Sequence, residues 1–252
     1  MNKTKTGTTK DLLIGTRPLL EALNSGREID KILIQKGLNS PTFKELWPEI
    51  RQRQIPYQHV PLEKLNRISR KNHQGVIAFA AAVNFSHLPE VITRCYERGE
   101  DPLILILDRI TDVRNFGAIC RTAECTGVHA VVIPTRNSAP VNYDALKTSA
   151  GALNHLSVCR EKNLKDTIAF MKQSGLRIIA CTEKAEATAY ECELSGPCCL
   201  IMGSEEDGVS PEYQKLCDLN IKLPMQGEIA SLNVSVATGA VLYEVIRQRF
   251  YP

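Results

Sequence analysis

At 252 residues the chain can form one large or two modest domains, and its 43% hydrophobic and 23% charged residues are ordinary for a folded globular protein. No run approaches the roughly 18 apolar residues of a membrane span, the opening MNKTKTGTTK has no apolar core for export, and the nine cysteines are scattered without a C-x-x-C pair. The pattern argues against a membrane protein, a disulfide scaffold and a structural zinc site, and for a cytoplasmic protein with reduced, mostly buried thiols and no bound metal. The net charge of +3 is uneven: residues 1 to 100 carry 16 Lys+Arg against 10 Asp+Glu, or +6, and residues 101 to 252 carry 15 against 18, or −3. This asymmetry suits an N-terminal module that meets a polyanion.

Residues 1 to 10 read as a disordered tail. From Leu12 to Ile14 the chain runs into Gly15-Thr16-Arg17-Pro18, where Thr16 can cap and Pro18 can enter the first turn of a helix through about Asn24. Ile29 to Gln35 alternates like a strand, Thr42 to Arg53 has helical spacing, and Tyr57 to Val60 is extended again, so residues 11 to 83 read as a small α/β domain. Lys64, Arg67 and Lys71, with Arg70 beside them, fall at helical spacing on what is either a solvated face or a track for phosphates. Residues 84 to 101 carry Pro89, border Pro102 and have a helical pattern only from Pro89 to Arg98, so they read as the connection to a second domain over 102 to 252.

That domain opens with the apolar run Leu103 to Leu107, a strand buried on both faces. Asn115 can cap a helix to about Thr126, Gly127 ends it, and Ala130 to Ile133 returns as a strand. Further strands read at 177 to 181, 199 to 202 and 220 to 223, with helices at 164 to 174 and 212 to 216, giving an α/β fold on a parallel sheet. In such sheets ligands sit beyond the C-terminal strand ends. There lie Arg114, Asn115 and Arg121; Thr182 and Glu183; Gly203 to Gly208; and the stretch from Leu223, where Ser231, Asn233 and Ser235 crowd the start of a long final helix with Ser231 as the simplest cap. No G-x-G-x-x-G follows the first strand and no P-loop occurs anywhere.

The segments NFGAICR (115 to 121), IMGSEEDG (201 to 208) and LPMQGEIASLNVSVA (223 to 237) resemble, in order and spacing, the three motifs of the SpoU, or TrmH-like, RNA ribose methyltransferases. The N-terminal part, with Gly15-Thr16-Arg17 and His73-Gln74-Gly75-Val76, is similar to the ribosomal-protein-like substrate-binding domain of the family's ribosomal RNA branch. The resemblance implies a SPOUT-type C-terminal domain with a trefoil knot, a homodimer, and methyl transfer from S-adenosylmethionine to a ribose 2′-hydroxyl, most similar to enzymes acting on a guanosine of large-subunit ribosomal RNA. Transfer RNA is the alternative substrate, and a non-catalytic ribosome-assembly factor the alternative class.

Carried over position by position, the resemblance places Asn115, Arg121, Glu205, Ser231 and Asn233 around the reacting ribose. Thr182, Met202, Gly203, Leu223, Met225, Ser231 and Leu232 would hold the cofactor, and Arg17, Lys64, Arg67, Lys71 and Arg114 would meet RNA. A guanidinium does not readily give up its proton. Arg121 is therefore expected to hold a phosphate and stabilise charge on the 2′-oxygen, oriented by Asn115 and Glu205.

Overall fold

The computed structural model describes residues 12–229 and 231–251, so the expected tail over residues 1 to 10 lies outside them. The chain divides into two compact units: residues to Asn84 with Pro140–Leu146, and Phe85–Ala139 with the chain from Lys147 onward.

In the first unit β1 (Leu12–Ile14), α1 (Thr16–Asn24), β2 (Ile29–Gln35), α2 (Pro41–Gln52), β3 (Tyr57–Val60), α3 (Leu62–Ile68) and β4 (Val76–Ala80) follow in order. The sheet runs β1-β4-β2-β3, with β4 antiparallel to its two neighbours and β3 parallel to β2. Side-chain alternation along β2 divides the core. Ile32 and Ile34 join Leu19, Leu23, Leu46 and Ile50 of α1 and α2, while Leu33 joins Leu65 of α3 on the other face. Ser40 caps α2 by accepting the Phe43 N–H at 3.2 Å, with Pro41 in the first helical position. Thr16 is not the cap of α1. It is the first helical residue and is buried, while Gly15 takes the cap position at φ 103°, a conformation open to glycine. The basic face is shorter than its spacing suggests: α3 ends at Ser69, which is extended, so Lys64 and Arg67 share the helix and Lys71 lies past it.

The second unit holds α4 (Leu88–Glu97), β5 (Leu103–Leu107), α5 (Val113–Cys125), β6 (Ala130–Pro134), then α6 (Tyr143–Thr148), whose first residues fall in the segment returning to the first unit, and β7 (Ser157–Glu161). It continues through α7 (Leu164–Gln173), β8 (Arg177–Cys181), β9 (Ala187–Thr188), β10 (Cys198–Met202), α8 (Pro211–Gln214), β11 (Leu219–Lys222) and α9 (Val234–Phe250). All seven strands are parallel, in the order β7-β6-β5-β10-β8-β11-β9. Every residue of β5 and β10 is buried, as continuous apolar runs at the middle of a covered sheet require. The stretch 84 to 101 is more than a connection, because α4 buries Leu88, Val91, Ile92 and Cys95 in the core that Ile104, Ile106 and Ile178 share. Asp112, not Asn115, caps α5, its Oδ1 accepting the Arg114 and Asn115 N–H groups at 2.8 and 2.9 Å. Asn233, not Ser231, caps α9. All nine cysteines are free, five of them buried. Among the described residues no helix is long and apolar enough to cross a membrane.

Candidate active site

The adjacent strands β10, β8 and β11 end at a cavity of about 420 Å³, lined by Thr182 after β8, Met202 and Gly203 at the end of β10, and Leu223 after β11. Met225, Ser231 and Leu232 complete its far wall, so all seven positions expected to hold the cofactor lie on one cavity. Cys181, Glu183 and Val241 also line it. Burial pushes the Cys181 thiol up to about 12, which leaves it a neutral, apolar part of the wall near neutral pH. Apolar walls with exposed backbone and a few polar groups at the edge suit an adenine and a thioether chain.

A second cavity, of about 320 Å³, lies against the first and shares Ser204, Glu205, Glu206 and Val234 with it. Asn115, from the first turn of α5, lines this second cavity. Its Nδ2 donates to Glu205 Oε1, and Asn233 Nδ2 donates to Asn115 Oδ1 at 3.1 Å and lies 3.5 Å from Glu205 Oε1. The other end of the Asn233 amide is committed to its own helix, where Oδ1 accepts the Ser235 N–H at 2.9 Å and hydroxyl at 2.6 Å. That capping bond fixes which way the amide points. Two helix starts, α5 and α9, thus bring their partly positive ends to one carboxylate.

Of the five expected catalytic residues the fold joins Asn115, Glu205 and Asn233 and sets Ser231 on the cofactor cavity. Arg121 stands apart. Six residues beyond Asn115 on α5 it is about 9 Å further along the axis and about 120° around it, exposed, with no hydrogen bond to Asn115 or Glu205. The expected orientation of Arg121 by those two residues therefore does not occur within the chain. Arg17, Lys64, Arg67, Lys71 and Arg114 are all exposed.

Arg109 lines the second cavity, a position its sequence context did not reveal. It follows Asp108 at the end of β5 with φ 59°, a left-handed conformation uncommon for a long side chain. Its guanidinium donates to Asp108 Oδ1 at 3.2 Å, to Asp207 Oδ2 at 2.7 Å and to the Gly208 carbonyl at 3.0 Å. Hydrogen bonding to Asp108, then the Asp108 and Asp207 charges, hold it still more firmly protonated than a free arginine. The buried Asp108 also accepts the Ser210 N–H at 2.8 Å and hydroxyl at 2.6 Å. Together these bonds fasten the chain after β10 around the turn that presents Glu205. The turn closes so tightly that a Cβ on Gly203 would stand 1.9 Å from the Gly208 carbonyl carbon.

Away from this site, ligand atoms of Cys95, Glu100 and His129 lie within 4.8 Å of one another. His129 Nδ1 accepts the Leu103 N–H at 3.0 Å, which leaves the proton on Nε2, 3.3 Å from Glu100. Burial pushes the Cys95 thiol up. His129 is thus committed at both ring nitrogens, to the Leu103 N–H and to Glu100.

A parallel α/β domain with a nucleoside-sized cavity beside an amide-carboxylate cluster is the frame of a group-transfer enzyme. Residues 102–243 match the model of the SpoU rRNA Methylase family, and residues 12–86 that of the RNA 2′-O ribose methyltransferase substrate-binding domain. YacO of Bacillus subtilis, whose name places it in the TrmH family of tRNA/rRNA methyltransferases, is 34% identical over 239 residues, 95% of this chain and 96% of the relative. In fold the chain is similar to the SpoU methyltransferase AviRb from Streptomyces viridochromogenes, solved with AdoMet (TM-score 0.61, 24% identity, 96% of this chain and 91% of that one). It is also similar to the A. aeolicus TrmH/SpoU tRNA modifying enzyme (TM-score 0.55, 32% identity, 64% of this chain and 84% of that one). The chain belongs to the SpoU family and is an S-adenosylmethionine-dependent RNA 2′-O-methyltransferase.

Proposed function

We propose that the substrate is a guanosine ribose of large-subunit ribosomal RNA, methylated in the cytoplasm by a homodimer. The observation that carries the chemistry is the Asn115–Glu205–Asn233 cluster, with Asn233 on the first cavity, Asn115 on the second and Glu205 on both. Thr182, Met202, Gly203, Leu223, Met225, Ser231 and Leu232 would hold the cofactor, whose sulfonium supplies an electrophilic methyl group for in-line displacement. Asn115 and Asn233 keep the Glu205 carboxylate aimed, and Glu205 accepts the hydrogen bond of the 2′-hydroxyl and orients its oxygen for attack.

Arg121 holds the neighbouring phosphate and offsets negative charge building on the 2′-oxygen. Since it is remote from its own chain's cluster, this role calls for a second copy. The apolar residues Val236, Tyr243 and Phe250, spaced seven apart on α9 and 56%, 59% and 68% exposed, supply a stripe for that copy to cover. Arg17, Lys64, Arg67, Lys71 and Arg114 engage phosphates. The match of residues 102–243 to the SpoU rRNA Methylase family supports the ribosomal branch, and the match of residues 12–86 with the basic excess of the first 100 residues supports an RNA contact by the N-terminal part. The likeness to the A. aeolicus tRNA modifying enzyme supports transfer RNA as the second reading.

The test is incubation with tritiated S-adenosylmethionine and, separately, unmodified large-subunit ribosomal RNA and transfer RNA, with the site mapped by resistance to alkaline cleavage. Label in one ribosomal guanosine is expected. Label only in transfer RNA overturns the substrate, and label in neither, with RNA still bound, favours an assembly factor. Arg121→Lys keeps the charge but loses the planar fork, and at least tenfold lower turnover is expected; near wild-type turnover refutes the proposed role of Arg121.

A further inference from the structure

The only tryptophan of the chain, Trp47, stands on α2 within a set of rings that the methyl-transfer site does not use. Its ring centroid is 5.1 Å from that of Tyr57, edge-on, and 6.4 Å from that of His59, and the Tyr57 and His59 rings are 5.7 Å apart. Strand alternation makes the convergence. Val60 turns into the small cluster of Leu33, Leu65 and Ile77, so Tyr57 and His59 face the side that α2 covers. β3 is the last strand of its sheet, which puts these rings at a rim. Phe43, 5.7 Å from Trp47, is buried, Trp47 and Tyr57 are half-buried, and His59 is exposed. The core accounts for Phe43 and for the inner edges of Trp47 and Tyr57. It does not account for His59, which has no hydrogen-bond partner among the described residues.

Charge is arranged around the same rings. Lys44 and Arg51, three residues before and four after Trp47, lie on its stripe of α2, and the Arg51 Cζ is 5.9 Å from the Trp47 ring. Neither is in an ion pair among the described residues, whereas the neighbouring Arg53 is held by Glu49 at 3.1 Å. Half-buried aromatic rings beside an exposed imidazole, flanked by cations outside any described ion pair, offer what an unpaired nucleobase and its two phosphates require: ring faces to stack on and charge for the backbone.

We propose that the rim formed by Trp47, Tyr57 and His59 stacks an unpaired base of RNA, with Lys44 and Arg51 on the flanking phosphates. The inference rests on the RNA-modifying reading but not on which RNA is modified. The single tryptophan makes it directly measurable. Tryptophan emission of the full chain is titrated with a 12-nucleotide adenosine oligoribonucleotide, a 12-base-pair RNA duplex and heparin, a polyanion without bases. The single strand is expected to quench emission, with the duplex and heparin having little effect, and His59→Ala to weaken that response about tenfold while raising KM for RNA and leaving kcat unchanged. Absence of quenching by the single strand, equal quenching by heparin, or a wild-type titration of His59→Ala overturns the proposal. Emission that changes with protein concentration alone assigns the rim to a contact between copies instead. Methyl transfer on the same preparation separates the two failures: label without quenching sinks the stacking site and spares the function, and quenching without label does the reverse.

Discussion

Two walls of the cavity proposed for the cofactor are built in opposite ways. The turn from Gly203 to Gly208 is closed by reciprocal Ser204–Gly208 backbone bonds of 2.9 and 3.1 Å and strapped by Arg109 to Asp108 and Asp207. The stretch from Pro224 to Leu232 leaves apolar side chains in solvent, with Ile229 76%, Leu232 42% and Met225 39% exposed. The first wall carries Glu205, whose value depends on direction, and a misplacement of about 1 Å can cost roughly a hundredfold in rate. The second has only to cover an apolar ligand, and covering it recovers about 25 cal/mol for each Å² removed from water. A fixed wall thus serves the reacting atoms, and an open wall lets the cofactor in.

The contrast is broken most sharply at its glycines. Gly203→Ala would put a Cβ 1.9 Å from the Gly208 carbonyl carbon and 2.0 Å from the Val209 nitrogen, both backbone atoms that cannot yield. Gly227, on the other wall, has nothing within 4 Å of such a Cβ. Cofactor affinity by calorimetry and methyl transfer are expected to fall at least about a hundredfold for Gly203→Ala and to stay within about twofold for Gly227→Ala. Similar losses at the two glycines would mean that both walls are equally constrained.

A smaller loss is expected at the strap. Arg109→Ala removes charge-assisted bonds of about 1.5–3 kcal/mol each, offset only so far as the untethered backbone relaxes, because alanine keeps the Cβ that makes a left-handed φ cost about 1–3 kcal/mol. Net destabilisation of about 2 kcal/mol and a roughly tenfold fall in kcat are expected, with KM for S-adenosylmethionine changing less. Arg109→Gly relieves the backbone more fully and should regain part of the thermal midpoint without regaining kcat. Recovery of both would make Arg109 a backbone residue and not a positioning one.

These two walls also differ in how far the sequence discloses them. Of the strands behind them, β5 and β10 are uninterrupted apolar runs and β8 is one after Arg177, and such runs are legible because a sheet covered on both faces tolerates little else. The cavity positions from Thr182 to Leu232 follow from the motif resemblance, and the fold gathers all of them. Caps were misread where several candidates stand one to three residues apart: Asp112 precedes Asn115, and Ser231 precedes Asn233, and only backbone geometry decides between them. β7 and the two-residue β9 are edge strands with half-exposed positions, so their pattern is weak. The strap itself was illegible, because Asp207 is 98 residues from Arg109 and nothing local to either signals the pairing.

Ligand binding sharpens the contrast further. Amide hydrogen exchange with and without S-adenosylmethionine should slow about tenfold across residues 225 to 229 and 231 to 232, since burial of exposed apolar groups by the ligand orders that wall. The Ser204 and Gly208 amides, already bonded to each other's carbonyls, should change by less than about twofold. If the two walls slow together, the fixed wall is fixed only with cofactor bound.

The smallest effect concerns the floor between the walls, where Cys181 reports whether the open side admits water. With its thiol raised to about 12, only about one molecule in ten thousand carries the reactive thiolate at pH 8. Because the proton is held more tightly in the folded chain than in the unfolded one, where the ordinary value is 9.0, stability from this half-buried thiol is complete below about pH 9 and is lost as pH rises toward 12. Maleimide labelling of Cys181 should therefore be slow and climb about tenfold per pH unit from 8 to 10, whereas the exposed Cys125 labels readily at the outset. Labelling of Cys181 at the rate of Cys125 would show solvent reaching the cavity floor, and the open wall would then extend through the whole of the cofactor cavity.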